Sequence, residues 1–190
     1  LKNADQILPL KASEKVAFVG GFAKKPRFQG GGSSHINCFK IANALESVPA
    51  DAQVTYAEGF PADKDLYDEK LAAEAVQAAK AADKVVIFAG LPDSFESEGY
   101  DRSHMRLPEC QNRLIAEILE LQPNAVIVLH NGSPVEMPWI NDMKGILEAY
   151  LGGQAGGAAV ANILYGVVNP SGKLAETIPM KLADNPSYLN

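Results

Sequence analysis

Lys84-Val-Val-Ile-Phe-Ala89 is a continuous run of β-branched and aromatic residues without the polar alternation of a half-exposed strand. Such a run reads as a strand covered on both faces, the usual condition of a parallel sheet. Lys15-Val-Ala-Phe-Val-Gly20, Gln53-Val-Thr-Tyr-Ala57, Ala125-Val-Ile-Val-Leu-His130 and Gly145-Ile-Leu-Glu-Ala-Tyr150 are segments of the same kind. Helical patterns lie between them. From Asp65 to Ala82, the positions Leu71, Ala75, Ala78 and Ala82 keep one small apolar face, with Glu74 and Lys80 off it. Pro108 fits the start of a second helix, whose stripe of Leu114, Ile115, Ile118 and Leu121 stops before Pro123. Fainter helical patterns cover Asn37 to Leu45 and Ala155 to Leu164. The alternation predicts an α/β fold, a three-layer α/β/α sandwich with a mainly parallel sheet, formed by residues 1–190 as one domain.

The chain has 190 residues, 47% of them hydrophobic and 21% charged, with a formal net charge of -6. That is enough apolar sequence for a core and too little charge for a disordered chain. The acidic balance argues against a nucleic-acid partner, because phosphate binding runs on clustered Lys and Arg. Lys24-Lys25-Pro26-Arg27 is dense but too small to line a groove. No apolar run approaches the ~20 residues of a membrane span, so no membrane partner is expected. Leu1-Lys2-Asn3 has neither an initiating Met nor the start of a signal peptide. The chain therefore reads as an excised piece, and its compartment stays open, with the cytoplasm preferred. Cys38 and Cys110 make neither a disulfide framework nor a Cys-rich zinc site, and read as reduced thiols at helix positions.

Two connections are longer than the two to six residues usual in such folds. Gly21 to Ser34 follows the first predicted strand and Leu91 to Leu107 the third. Both leave carboxyl ends of strands, the edge where open α/β sheets bind ligands. Gly30, Gly31 and Gly32 permit close approach to the backbone, and Ser33 and Ser34 follow with hydroxyl and N–H donors. A sugar or phosphate cradle and a flexible turn with a Ser cap both fit. Nucleotide fingerprints fail: G-x-G-x-x-G would need its last Gly at Lys25 or His35. A P-loop would need Gly at Val167 and Ser or Thr at Leu174.

The second loop, Asp93-Ser-Phe-Glu-Ser-Glu-Gly-Tyr-Asp-Arg102, gathers Asp93, Glu96, Glu98 and Asp101. Dense carboxylates bind a hard cation, pair with cations or do acid–base work. The calcium-loop pattern is absent, and neither a metal nor a cofactor is assigned. Asp101 beside Arg102 reads as an ion pair structuring the loop. Glu98 precedes Gly99 on a turn that projects it outward, either as a working acid or as a solvated one. His35, His104 and His130 share no ligand spacing, and the nucleophile-elbow pattern is missing. His130 ends a predicted strand, as a satisfied histidine or a cleft residue, and Trp139 reads as core.

Taken in order, Ile7-Leu8-Pro9-Leu10, Gln29-Gly-Gly-Gly-Ser-Ser34, Glu98-Gly-Tyr-Asp-Arg102 with Leu107-Pro108, Gly152-Gly153-Gln154-Ala155-Gly156-Gly157 and Asn169-Pro-Ser-Gly-Lys-Leu174 with Thr177-Ile178-Pro179 are similar to a known series. They resemble the α/β sandwich domain of glycoside hydrolase family 3, the family of many β-glucosidases. The resemblance implies a retaining enzyme in which a preceding (β/α)8 barrel supplies an aspartate nucleophile and this domain the general acid/base. Glu98 matches the acid/base position, with Glu96 as the reserve. Ser33 would contact the sugar and Phe28 border the aglycone side, while Gly30, Gly31, Gly32, Asp101 and Arg102 shape the loops. The implied substrate is a β-glucoside or related β-glycoside.

The barrel is absent, and the sequence stops at Leu189-Asn190, where family members usually continue. Retaining chemistry needs two carboxyl groups about 5–5.5 Å apart. The chain by itself is therefore expected not to hydrolyse glycosides, and its Glu98 to be solvated and to titrate near a free glutamate, roughly 4.3. The alternative is a non-catalytic sugar-binding or structural module.

Overall fold

A computed structural model describes residues 1–188. Leu189-Asn190, and the expectation attached to them, lie outside the described residues. The strands are β1 (Lys2–Asn3), β2 (Lys15–Val19), β3 (Gln53–Ala57), β4 (Lys84–Gly90), β5 (Ala125–His130) and β6 (Gly145–Glu148). They form one six-stranded sheet in the order β1-β6-β5-β4-β2-β3. β2 to β6 pair parallel, and β1 adds antiparallel to β6 through Lys2 opposite Ile146. A two-residue edge strand carries no readable periodicity, which is why the sequence did not announce β1.

Alternation along the central strands sorts the core into two faces. Val85, Ile87, Ala89, Ala125, Ile127 and Leu129 turn toward helices α1 (Glu69–Ala81) and α2 (Glu109–Leu121). Val86, Phe88, Val126 and Val128 turn the other way, toward α3 (Gly156–Leu164) and the amino-terminal Ile7, Leu8 and Leu10. The result is the three-layer sandwich with a mainly parallel sheet, and Trp139 is buried in it as expected.

Helix α1 begins later than Asp65. Asp68 caps it, accepting from the Lys70 and Leu71 N–H groups at 2.9 and 3.0 Å. Asp65 instead accepts from the Glu109 and Cys110 N–H groups at 2.9 and 2.8 Å, occupying the free donors at the start of α2. Burial, with Asp65 beside it, pushes the Cys110 thiol up to about 12, so it stays protonated.

The expected helix over Asn37 to Leu45 does not form. Only Leu45–Ser47 makes a 3-10 turn, and Cys38 is a half-buried residue of an irregular loop. Phe39 and Ile41, apolar positions of that span, face solvent, and Phe39 is wholly exposed. Only its end, at Asn43 and Ala44, is buried, and so short a packed stretch does not hold a helix.

Helix α3 passes very close to the end of this loop. A Cβ at Gly157 would stand 2.4 Å from the Ala42 carbonyl oxygen and 2.6 Å from the Asn43 Cα. Gly157→Ala is therefore expected to lower stability by about 1–3 kcal/mol, the usual cost of overpacking. Helix propensity offsets only part of that loss. A urea midpoint unchanged from wild type would contradict this close packing.

Candidate active site

The loops after β2, β4, β5 and β6 meet at the carboxyl edge of the sheet, and a buried cation joins two of them. The Arg27 side chain is only 5% exposed. Its Nε donates to Asp93 Oδ1 at 3.2 Å, Nη1 to Glu96 Oε2 at 2.5 Å and Nη2 to the Glu96 carbonyl at 2.9 Å. The turn after β5 completes the enclosure of Glu96. The Gly132 N–H donates to Oε2 at 2.8 Å, and the Ser133 hydroxyl donates to Oε1. Burial works to raise the Glu96 carboxyl, but hydrogen bonds from Ser133, Arg27 and Gly132 outweigh it and hold it below the ordinary range.

Arg102 belongs to the same knot and not to Asp101. Its Nη2 donates to Ser133 Oγ at 2.8 Å and to the Pro134 carbonyl at 2.9 Å, while Asp101 is exposed. The expected Asp101–Arg102 ion pair is absent among the described residues, because the loop turns Arg102 inward and leaves its neighbour in water. No group of three His, Cys, Asp or Glu side chains that could hold a metal ion occurs among the described residues. The acid-rich loop spends its charge on Arg27 instead.

Glu98 stands apart from this knot. Its carboxylate is exposed, and Oε2 accepts from the Ser33 N–H at 2.6 Å. The Glu98 N–H in turn donates to the Gly31 carbonyl at 3.4 Å. Two expectations meet here, since the loop glycines and Ser33 lie directly against the acid loop. A Cβ at Gly32 would stand 2.6 Å from the Glu98 Cβ, and one at Gly31 would stand 2.5 Å from the Ser97 hydroxyl. Gly32 also has φ +90°, a conformation that L side chains rarely adopt. Gly30 is less constrained, with the Ser34 hydroxyl 3.0 Å from an added Cβ. Hydrogen bonds from Ser33 lower the Glu98 carboxyl from its ordinary value, which corrects the expectation of a free-glutamate titration.

Phe28 is half-buried beside this rim, and its carbonyl accepts from the Gly153 N–H at 2.9 Å. With Pro26, Arg27, His130 and Gly153 it lines a hollow of about 20 Å³. His130 is buried between the Phe22 and Phe88 rings, at centroid distances of 5.7 and 6.3 Å. Its Nε2 finds no hydrogen-bond partner among the described residues, and burial pulls the imidazole down to about 4. On the next strand, Glu148 accepts from the Tyr150 N–H at 3.1 Å and the Asn131 amide at 3.5 Å. Burial there pushes Glu148 up to about 7.

Arg27, Gly132 and Ser133 were not singled out by sequence reasoning. The available signal was charge matching: an arginine between Phe22 and Phe28 on one site loop, and surplus carboxylates on the other.

A family model, the glycosyl hydrolase family 3 C-terminal domain, matches residues 1–190. The chain belongs to glycosyl hydrolase family 3. This family 3 domain is 56% identical over 194 residues to thermostable beta-glucosidase B of Acetivibrio thermocellus, an alignment covering 100% of the chain and 26% of that relative. It is 44% identical over 201 residues to the exo-alpha-(1->6)-L-arabinopyranosidase of Bifidobacterium longum, covering 100% and 27%. Among solved structures, the family 3 beta-glucosidase of Bifidobacterium adolescentis superposes with a TM-score of 0.93 at 48% identity. That match covers 98% of the chain and 28% of its counterpart. The chain thus spans about a quarter of the length of the curated relatives it matches.

Proposed function

We propose that this family 3 domain carries Glu98 as the general acid/base of a retaining β-glucosidase, whose nucleophilic carboxylate stands on a (β/α)8 barrel packed over the carboxyl edge. The observation that carries the reading is the contrast between neighbouring acids. Asp93 and Glu96 are tied to Arg27, whereas Glu98 presents its carboxylate outward at the rim. The remaining acid of the loop, Asp101, is exposed and in no ion pair among the described residues, and the 5–5.5 Å pair of a retaining enzyme is to be completed from another domain. In the open domain, Glu98 is held ionised by Ser33. A covering domain that removes water and brings a second negative charge acts in the opposite direction, toward a protonated acid able to serve the leaving oxygen. Ser33, on the same rim, is assigned to the sugar and Phe28 to the aglycone side.

The isolated chain is accordingly inactive, and activity returns only with the partner domain. Residues 1–190 co-expressed with a family 3 barrel are expected to hydrolyse an aryl β-glucoside, while neither part alone does so. Because one relative is named for an α-L-arabinopyranoside, the aryl arabinopyranoside belongs in the same assay. Turnover by residues 1–190 alone, lost on Glu98→Gln, would reject the composite site. Sugar binding in calorimetry, without activity in any pairing, would favour a non-catalytic module.

A further inference from the structure

Glu96 and Glu98 are separated by one residue, yet their surroundings assign them opposite tasks. Both Glu96 oxygens are occupied: Oε2 by Arg27 and the Gly132 N–H, Oε1 by the Ser133 hydroxyl. Protonating this carboxylate would leave the buried guanidinium only the half-exposed Asp93 as counter-ion, so Glu96 is poorly suited to giving and taking protons. Arg27 does more than neutralise it. Nη2 grips the Glu96 main-chain carbonyl at 2.9 Å, which fixes the backbone two residues before Glu98. Arg27 itself sits on the glycine loop six residues before Ser33, the residue whose N–H holds the Glu98 carboxylate at 2.6 Å. One planar cation with donors in a fixed fork thus grips the loop that carries the acid and lies on the same loop as the donor that orients it.

We propose that Arg27, with Glu96 as its buried counter-ion, is a positioning residue that sets the place of the Glu98 carboxylate against Ser33. The inference rests on the proton-donor reading of Glu98 for its catalytic meaning, but the linkage it asserts is measurable without turnover.

The test is carboxyl-carbon NMR titration of Glu98 in residues 1–190, together with hydrogen exchange at the Ser33 amide. It compares wild type with Arg27→Met, Arg27→Lys and Glu96→Gln. In Arg27→Met, the Glu98 midpoint is expected to rise toward that of a free glutamate and Ser33 exchange to quicken at least tenfold. Arg27→Lys restores charge without the fork and recovers only part of both. Glu96→Gln, which keeps shape and weakens the pair, shifts both readouts in the same direction as Arg27→Met. It serves if Arg27→Met does not fold. A merely structural loss would lower the melting temperature and leave the Glu98 midpoint in place.

Unchanged Glu98 titration and Ser33 exchange in a folded Arg27→Met, or in Glu96→Gln, overturns the proposal. Failure of the proton-donor reading looks different. An enzyme carrying both domains would then keep its activity after Glu98→Gln, while the NMR linkage between Arg27 and Glu98 persisted.

Discussion

In an enzyme carrying both domains, Glu98→Ala is expected to lower kcat on cellobiose by about 10²–10⁴-fold, the range that a positioned general acid supplies. The size of the loss should depend on the leaving group. A sugar alkoxide needs a proton as it departs, whereas dinitrophenolate leaves without one, so bond cleavage in the dinitrophenyl glucoside is largely spared. What remains slow there is attack of water on the glycosyl-enzyme, because the base is also missing. Azide needs no base. It should enter the space left by the side chain and restore turnover, releasing the glycosyl azide with retained configuration. Glu98 is exposed, so truncating it removes little packing, and the folded state should survive. Glu96→Gln is expected to behave otherwise. It weakens a buried ion pair and loosens the seat of Glu98, so it costs most on poor leaving groups but less than Glu98→Ala, and gains nothing from azide because the Glu98 side chain still fills its space. Azide rescue of a Glu96 variant, with Glu98→Ala untouched, would move the proton donor two residues upstream.

A second large effect concerns stability against pH, through a buried and a half-buried group on adjacent strands that titrate in opposite senses. Glu148 is raised from 4.5 to about 7 by burial. Its stabilising contribution is therefore complete below about 4.5 and lost as pH rises through 7. His130 is lowered from 6.5 to about 4, also by burial. Its contribution is complete above about 6.5 and lost as pH falls through 4. A displacement of this size corresponds to on the order of 3 kcal/mol for the fully enclosed His130, and to somewhat less for the partly exposed Glu148. Between about pH 4.5 and 6.5 the two slopes oppose, and wild type should show a shallow profile. Glu148→Gln is expected to unmask a steady rise in melting temperature with pH over that window, and His130→Gln a steady fall. Thermal melts at constant ionic strength read both. Parallel profiles for the two variants would mean that neither group titrates as its burial dictates.

Much of this fold was written plainly. The central strands are unbroken Val, Ile, Leu and Phe runs because both faces of the sheet are covered. Leu114, Ile115 and Ile118 of α2 are buried as expected while Leu121 is exposed, and the α1 face centres on Ala72, Ala75 and Ala79 rather than on Leu71. What misled was pattern without burial: Phe39 and Ile41, within the helix expected over Asn37 to Leu45, face water. The site divides along a similar line. The outward acid and the glycines were visible because turn chemistry is local. Arg27 was not, since nothing in Lys24-Lys25-Pro26-Arg27 tells which cation goes inside; that depends on carboxylates reached through the fold. Asp101 and Arg102 show the converse, since adjacency in sequence pairs nothing when the backbone sends the two side chains apart.

The tight seating of Ser97 and Glu98 on Gly31 and Gly32 bears on how such enzymes can be recombined. A chimera that imports the segment after β4 from a relative, while keeping the host segment after β2, succeeds only where both parents leave bare backbone at those two positions. Elsewhere the two stretches, parted in sequence by β3 and α1, have to be exchanged together as a single cassette.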